Sequence, residues 1–310
     1  MQMRLLAPAA CLISVALVLS ACSNGSDSTG TSTVAGGSTS TAAPSVTTTT
    51  MSTLTTPSPA TQAPTTQAPA TTSSASTTTQ QPTTTVASPM IDNELIETRN
   101  IGESVEGKPI VAERRGTPGG RVVLIIGVIH GDENDGLAIM QHLHQMDVPA
   151  GVDLWLVDSM NPDGVANTTR HNANQVDLNR NFPDSWAPLG VLGDGQYAGP
   201  SAASEPETQA MVDFISEIRP DLTMWYHQDL YRIAPGRGRD GRIRQRYADL
   251  TGLPVVSITG GTYTGVAATW ARDLLNPGVA FIVELGPSLT EAEAKMHAEA
   301  VLTVAGEDIE

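Results

Sequence analysis

The chain has 310 residues, with 33 acidic against 17 basic side chains and a formal charge of −16. That balance argues against a nucleic-acid partner, which needs a basic face for phosphates. Cysteine is confined to Cys11 and Cys22, so no disulfide framework can staple a fold further along the chain.

Met1–Ala21 carries one basic residue, Arg4, and then an apolar run over Leu5–Leu19. The run is short for a membrane span and suits the apolar region of a secretory signal. It ends in Leu19-Ser20-Ala21-Cys22, which resembles the lipobox of bacterial lipoproteins. There cleavage precedes the cysteine and the cysteine is acylated; the alternative is an ordinary signal peptide with an incidental cysteine. The resemblance implies a protein exported and anchored to the outer face of the cell membrane through a lipidated Cys22. Several acyl chains hold well, because each buried methylene contributes about 0.8 kcal/mol. Residues 22–89 are almost all Thr, Ser, Ala, Pro, Gln and Gly, with Asp27 their only charge and no aromatic residue. Such a segment buries too little apolar surface to offset ordering entropy, so it is expected to be a disordered tether.

Residues 90–310 form one domain by size. Strands are expected over Glu94–Ile101, Lys108–Arg115 and Arg121–Ile129. Apolar residues at 137, 140 and 143 predict a helix over Glu133–Met146. A strand over Val152–Val157 follows, then a turn at Asn161-Pro162-Asp163-Gly164. The stretch 165–203 has no period, and a loop of that length in a compact domain is usually functional. A helix runs to Ile218 from Ser204-Glu205-Pro206-Glu207, where Ser204 and Glu207 have capping-box spacing. Then come a strand over Leu222–Tyr226, a helix over Gly241–Leu250, a strand over Val255–Ile258, a helix over Gly265–Leu275, a strand over Val279–Val283 and a helix over Thr290–Ala305. The alternation predicts an α/β fold: a mixed, largely parallel sheet covered by helices on both faces.

Three of these strands are continuous apolar runs that stop on a polar group: at His130, His227 and Glu284. A buried strand has little reason to end so unless the group emerges at the carboxyl edge of the sheet, where open α/β sheets bind ligands. His130-x-x-Glu133 places a carboxylate one turn after an imidazole. Together with His227 these are nitrogen and oxygen donors suited to zinc, whose catalytic sites take three protein ligands and leave one position open.

The stretch Val176-Asp177-Leu178-Asn179-Arg180-Asn181-Phe182-Pro183 adds a more specific signal. With Ile101–Ile110, His130-Gly131-Asp132-Glu133, Asn161–Gly164, Ser204–Thr208, His227-Gln228 and Glu284, it resembles the zinc carboxypeptidase family. The likeness runs over nearly the whole domain and points to the bacterial branch that includes murein peptide amidases. The resemblance implies that family's fold and one Zn²⁺ per domain, held by His130, Glu133 and His227. It implies Glu284 as the general base, Asn179 and Arg180 as the pair holding the substrate's terminal carboxylate, and Arg170 as the arginine that polarises the scissile carbonyl. Asp177 matches the carboxylate that orients the first zinc histidine. Each role suits its chemistry: a carboxylate beside a cation is a workable proton shuttle, and a guanidinium offers a planar fork to a carboxylate.

Tyr263 lies near where the family's digestive members carry a tyrosine that closes over substrate, but its offset from Gly265 and Trp270 fits poorly; it reads as a pocket-lining or a loop aromatic. Asp132 and Asp135 read as loop-solvating, His142, His144 and His297 as surface or helix-face residues, and His171 as a bland neighbour of Arg170. Arg232, Arg237, Arg239, Arg242, Arg244 and Arg246 read first as a solvated face. The sharper reading has Arg232 or Arg237 meeting carboxylates of an acidic peptide. The function these features imply is a zinc metallopeptidase acting on a peptide with a free terminal carboxylate, with a murein peptide cut at the γ-D-glutamyl–diaminopimelate bond as the preferred substrate. A general extracellular carboxypeptidase, a non-catalytic wall-binding module and an acyl-amino-acid deacylase are the alternatives. Oligomeric state is open.

Overall fold

Residues 94–310 are described in a computed structural model of the chain. The leader over 1–21 and the tether over 22–89 lie outside the described residues. Seven strands form one sheet: β1 (Leu95–Glu103), β2 (Pro109–Gly116), β3 (Arg121–Val128), β4 (Val152–Ser159), β5 (Leu222–Gln228), β6 (Arg232–Ile233) and β7 (Val279–Leu285), in the order β1-β2-β4-β3-β5-β7-β6. The centre β4-β3-β5-β7 is parallel, and β1, β2 and β6 join antiparallel at the edges. The mixed α/β sheet expected from the sequence is therefore present.

Helices cover both faces. α1 (Gly136–Leu143), α4 (Gly238–Thr251) and α6 (Glu291–Gly306) pack on one, α3 (Pro206–Ile218) and α5 (Ala267–Leu275) on the other. This explains why β3 reads as an unbroken apolar run. Val123, Ile125 and their alternates Leu124, Ile126 enter different cores, and all four are fully buried. Full burial of each such side chain contributes about 1.5–3 kcal/mol.

Local departures from the sequence reading have physical causes. α1 starts at Gly136 rather than Glu133, because 130–135 form the loop that presents the polar groups. The Asn161 turn is the start of a short helix, α2 (Pro162–Asn167), capped by the Asn161 side chain accepting from the Gly164 N–H. Ser204 and Glu207 form no capping box: the N-cap of α3 is Glu205, and Glu207 instead accepts from the Val105 N–H and the Asn172 amide. A capping box is found instead at α6, between Thr290 and Glu293. Val255–Ile258 is not a strand but one bridge, Val255 to Ile233, beside the two-residue β6. Among the described residues, no helix is long and apolar enough to cross a membrane.

Candidate active site

Because β5 and β7 are parallel neighbours, their register sets His227 directly beside Glu284. β3 is the other neighbour of β5, and His130 follows two residues after its end. Three polar side chains distant in sequence thus reach one carboxyl edge. The His130–Asp135 loop is held down from below: Asn161 Nδ2 donates to the Ile129 carbonyl at 3.0 Å while its Oδ1 accepts from Gly164 N–H at 2.9 Å. Gly131 packs so tightly on α2 that a Cβ there would lie 1.9 Å from the Gly164 carbonyl carbon. Only glycine permits that approach.

His130, Glu133 and His227 offer ligand atoms within 4.8 Å of one another. His130 is buried, and its Nε2 lies 2.9 Å from Asp177 Oδ1. A carboxylate can only accept, so Nε2 carries the proton and Nδ1 is left with a free lone pair. That Nδ1 is 2.9 Å from Glu133 Oε1, buried and without hydrogen-bond geometry to any partner. His227 Nδ1 lies 2.8 Å from Glu133 Oε2, which also accepts from the Gln228 N–H at 3.1 Å. Two imidazoles and a carboxylate converging on one point, one of them with an orphaned lone pair, fit a zinc ion. Burial alone would raise the Glu133 carboxyl, but the two imidazoles outweigh it and hold it well below the usual range. Burial works against protonation of His130 as well, yet Asp177 and Glu133 raise it; at His227 burial prevails and lowers it.

Asp177 links this cluster to the arginines. Besides His130 it accepts from Arg170 Nη2 at 2.9 Å and Nε at 3.1 Å, while Arg170 Nη1 reaches Glu133 Oε1 at 2.7 Å. Asp177 also caps the 3₁₀ turn Leu178–Arg180, accepting from the Asn179 N–H. That turn points Asn179 and Arg180 inward. Asn179 Oδ1 is fixed by the Ala267 N–H at 3.0 Å, and its Nδ2 lies 3.3 Å from His227 Nε2.

Arg180 is only 4% exposed, and no carboxylate pairs with it among the described residues. Its Nη1 donates to the neighbouring Asn179 carbonyl, Nε has no partner, and the guanidinium sits 5.2 Å over the Tyr263 ring. Burial lowers its pKa. Tyr263 is thus a lining aromatic of the site, although its ring is largely open to solvent.

Glu284 is 9% exposed. Burial, reinforced by the charge of Glu133, pushes its carboxyl up to about 7, against the opposing pull of His130 and a Leu230 backbone hydrogen bond. A carboxyl poised near neutrality beside a metal cluster is suited to proton transfer. His130, Glu133, Arg170, Asn179, Arg180, His227 and Glu284 all line one cavity of about 540 Å³.

Several residues fall elsewhere. Arg232 and Arg237 do not line the cavity: Arg232 Nε donates to the Leu230 carbonyl, and Arg237 is the N-cap of α4. From the same basic run, Arg239 and Arg246 pair with Asp221 and Glu307, while Arg244 turns inward and does line the cavity. Arg272 of α5 lines it too and carried no sequence signal. Asp135 is no mere loop solvator, since its carboxylate accepts from the Leu289 N–H. His171 does not line the cavity, and His142 and His144 face carboxylates near the surface. His297 is not a surface residue: it is buried, with Nδ1 2.7 Å from the Tyr247 hydroxyl.

Comparison with known proteins agrees with this geometry. The zinc carboxypeptidase family profile matches residues 91–229. Murein peptide amidase A of Escherichia coli K12 is 31% identical over 192 residues, covering 57% of this chain and 77% of the relative. Carboxypeptidase SOL1 of Arabidopsis thaliana is 33% identical over 167 residues, covering 48% of this chain and 32% of the relative. Among solved structures, the murein-tripeptide amidase of Escherichia coli O157 superposes with a TM-score of 0.57 at 27% identity, over 69% of this chain and 93% of that one. Carboxypeptidase A of Helicoverpa armigera, at 20% identity, shares the fold with a TM-score of 0.62 over 68% of each chain. The chain belongs to the zinc carboxypeptidase family. Within it, this protein is a hydrolase whose metal is zinc, with His130, Glu133 and His227 as the potential metal site.

Proposed function

We propose that the protein is an envelope amidase that removes the terminal residue of a murein peptide, cutting the γ-D-glutamyl–diaminopimelate bond. The observation that carries the reading is Arg180: a buried guanidinium with no ion-pair partner among the described residues, in the cavity that holds the potential metal-ligand cluster. An uncompensated buried cation is unfavourable unless an anion arrives to meet it. A substrate's terminal carboxylate is such an anion, with Asn179 as a neutral second donor.

Zinc, when bound, supplies a Lewis acid for the carbonyl and lowers the pKa of water. The chain's own groups then divide the work. Arg180 and Asn179 orient the terminal carboxylate. Arg170, beside the ligand cluster, donates to the carbonyl oxygen as charge grows there. Glu284 takes a proton from the attacking water and returns it to the leaving amine. Asp177 keeps His130 in the tautomer that leaves Nδ1 free.

The murein substrate is supported by the likeness to murein peptide amidase A over 77% of that relative's length. The sequence Leu19-Ser20-Ala21-Cys22 supports placing the domain at the wall through a lipidated Cys22. A general carboxypeptidase is the second reading, favoured by carboxypeptidase SOL1 being similar as well. Purified protein is offered L-Ala-γ-D-Glu-diaminopimelate and a hippuryl dipeptide, with and without chelator, and products are identified by mass spectrometry. Release of free diaminopimelate, abolished by chelator, is expected. Cleavage of the hippuryl peptide alone would reject the amidase in favour of the carboxypeptidase. For the anchor, acyl labelling should be lost in Cys22→Ser; labelling that persists would reject it.

A further inference from the structure

The cavity holds two cations that the reaction above does not use. Ala268, Thr269 and Arg272 line it from one face of α5, and Arg244 lines it from α4. Arg244 is 5% exposed and already committed: Nε donates to Asp240 at 2.9 Å, Nη1 to the Ala234 carbonyl at 3.0 Å and Nη2 to the Ala280 carbonyl at 3.2 Å. Its guanidinium also lies 5.3 Å over the Phe281 ring. Arg272 is close enough for its charge to oppose that of Arg244. Its one ion pair among the described residues is with its neighbour Asp273, at 3.8 Å and too long for a hydrogen bond. The Asp273 side chain is itself 58% exposed. Arg244 is thus neutralised by Asp240, whereas Arg272, with a side chain 41% exposed, has only that long contact, and a cation so placed in a cleft raises the local concentration of anions.

We propose that Arg272, supported by Arg244, selects substrates whose terminal residue ends its side chain in a second carboxylate. Arg180 takes the main-chain carboxylate and Arg272 the side-chain one, so the preferred terminal residue is a dicarboxylic acid. Asp229 lines the same cavity, so a side chain carrying an ammonium beside its carboxylate meets a partner for each sign. This specificity rests on the hydrolase reading above, and it reaches beyond it by assigning the side-chain pocket. The carboxylate could belong to glutamate or to diaminopimelate.

Three peptides differing only in the terminal residue separate these cases: alanine, glutamate or diaminopimelate. The wild-type kcat/KM is expected to be at least tenfold higher for one or both acidic residues than for alanine. In Arg272→Ala that ratio should fall at least tenfold, and Arg272→Lys should restore most of it. Calorimetry on the same proteins reads binding without turnover: free glutamate or diaminopimelate should bind wild type at least tenfold more tightly than alanine, and Arg272→Ala should abolish the difference. A wild-type ratio near one, or a ratio and binding difference that survive Arg272→Ala, would overturn the assignment. Preference for glutamate without cleavage of the diaminopimelate peptide keeps the pocket and removes the murein substrate. If no peptide is cleaved, the hydrolase reading falls and calorimetry alone decides the pocket.

Discussion

Arg180→Met is the most discriminating perturbation of the site. In the free protein the guanidinium donates to one backbone carbonyl and stacks on Tyr263, and among the described residues no carboxylate pairs with it directly, Asp177 attracting it only from a longer range. Losing that hydrogen bond and stack removes about 2 kcal/mol of stability. Removing a buried charge without a partner relieves a desolvation penalty of several kcal/mol. The two oppose, so Met, of similar length and apolar, should leave stability unchanged or raise it. Binding behaves differently. Truncating one member of a buried charge pair costs about 2–5 kcal/mol; about 3 kcal/mol corresponds to roughly 150-fold in kcat/KM. The assay compares a peptide with a free terminal carboxylate against the same peptide amidated at that terminus, alongside thermal unfolding. The loss should fall on the free-acid peptide and raise KM, while the unfolding midpoint does not drop. Equal losses on both peptides, or a midpoint lowered by more than about 4 °C (about 1 kcal/mol or more for a domain of this size), would refute the reasoning.

Glu284→Gln removes the proposed proton shuttle and leaves the potential metal ligands His130, Glu133 and His227 in place. kcat should fall by about 10²–10⁴ while zinc content by elemental analysis stays at one per chain; lost zinc would show that Glu284 holds the ion. Gly131→Ala drives a Cβ into the Gly164 backbone at 1.9 Å. It should destabilise the fold by about 1–3 kcal/mol and lower zinc affinity, read by denaturant titration and a chromophoric chelator. His297 is pushed down to about 4 by burial, with Glu293 opposing. Its depressed pKa means the unfolded chain binds the proton first, so stability falls as pH drops from about 6.5 towards 4. Between pH 7 and pH 5 the difference from this residue is about 2 kcal/mol. Urea unfolding of metal-free His297→Gln should show a slope with pH shallower than wild type by that amount; parallel slopes would exclude the effect.

What the linear chain determined here was mostly local. The ends of β3, β5 and β7 were legible because an apolar run closing on histidine or glutamate is rare unless the group is put to use. The His130-Gly131-Asp132-Glu133 and Asp177–Pro183 stretches carried the chemistry of the site in their residue types. Apolar spacing located α1 to within a few residues, and the helices expected over 204–218 and 290–305 coincide as closely with α3 and α6. Tertiary structure decided what depended on partners. Glu207 looked like a cap in isolation, but Val105 and Asn172 claim its carboxylate. Val255–Ile258 looked like a strand, but only Ile233 is there to pair with it. Among six arginines in one run, nothing local separates Arg244, which turns inward, from Arg239 and Arg246, which meet Asp221 and Glu307 far away in sequence. Arg272 sat in an ordinary amphipathic helix until α5 was laid against the mouth of the cavity. A side chain's type is written in the sequence; which charge it faces is set by long-range packing.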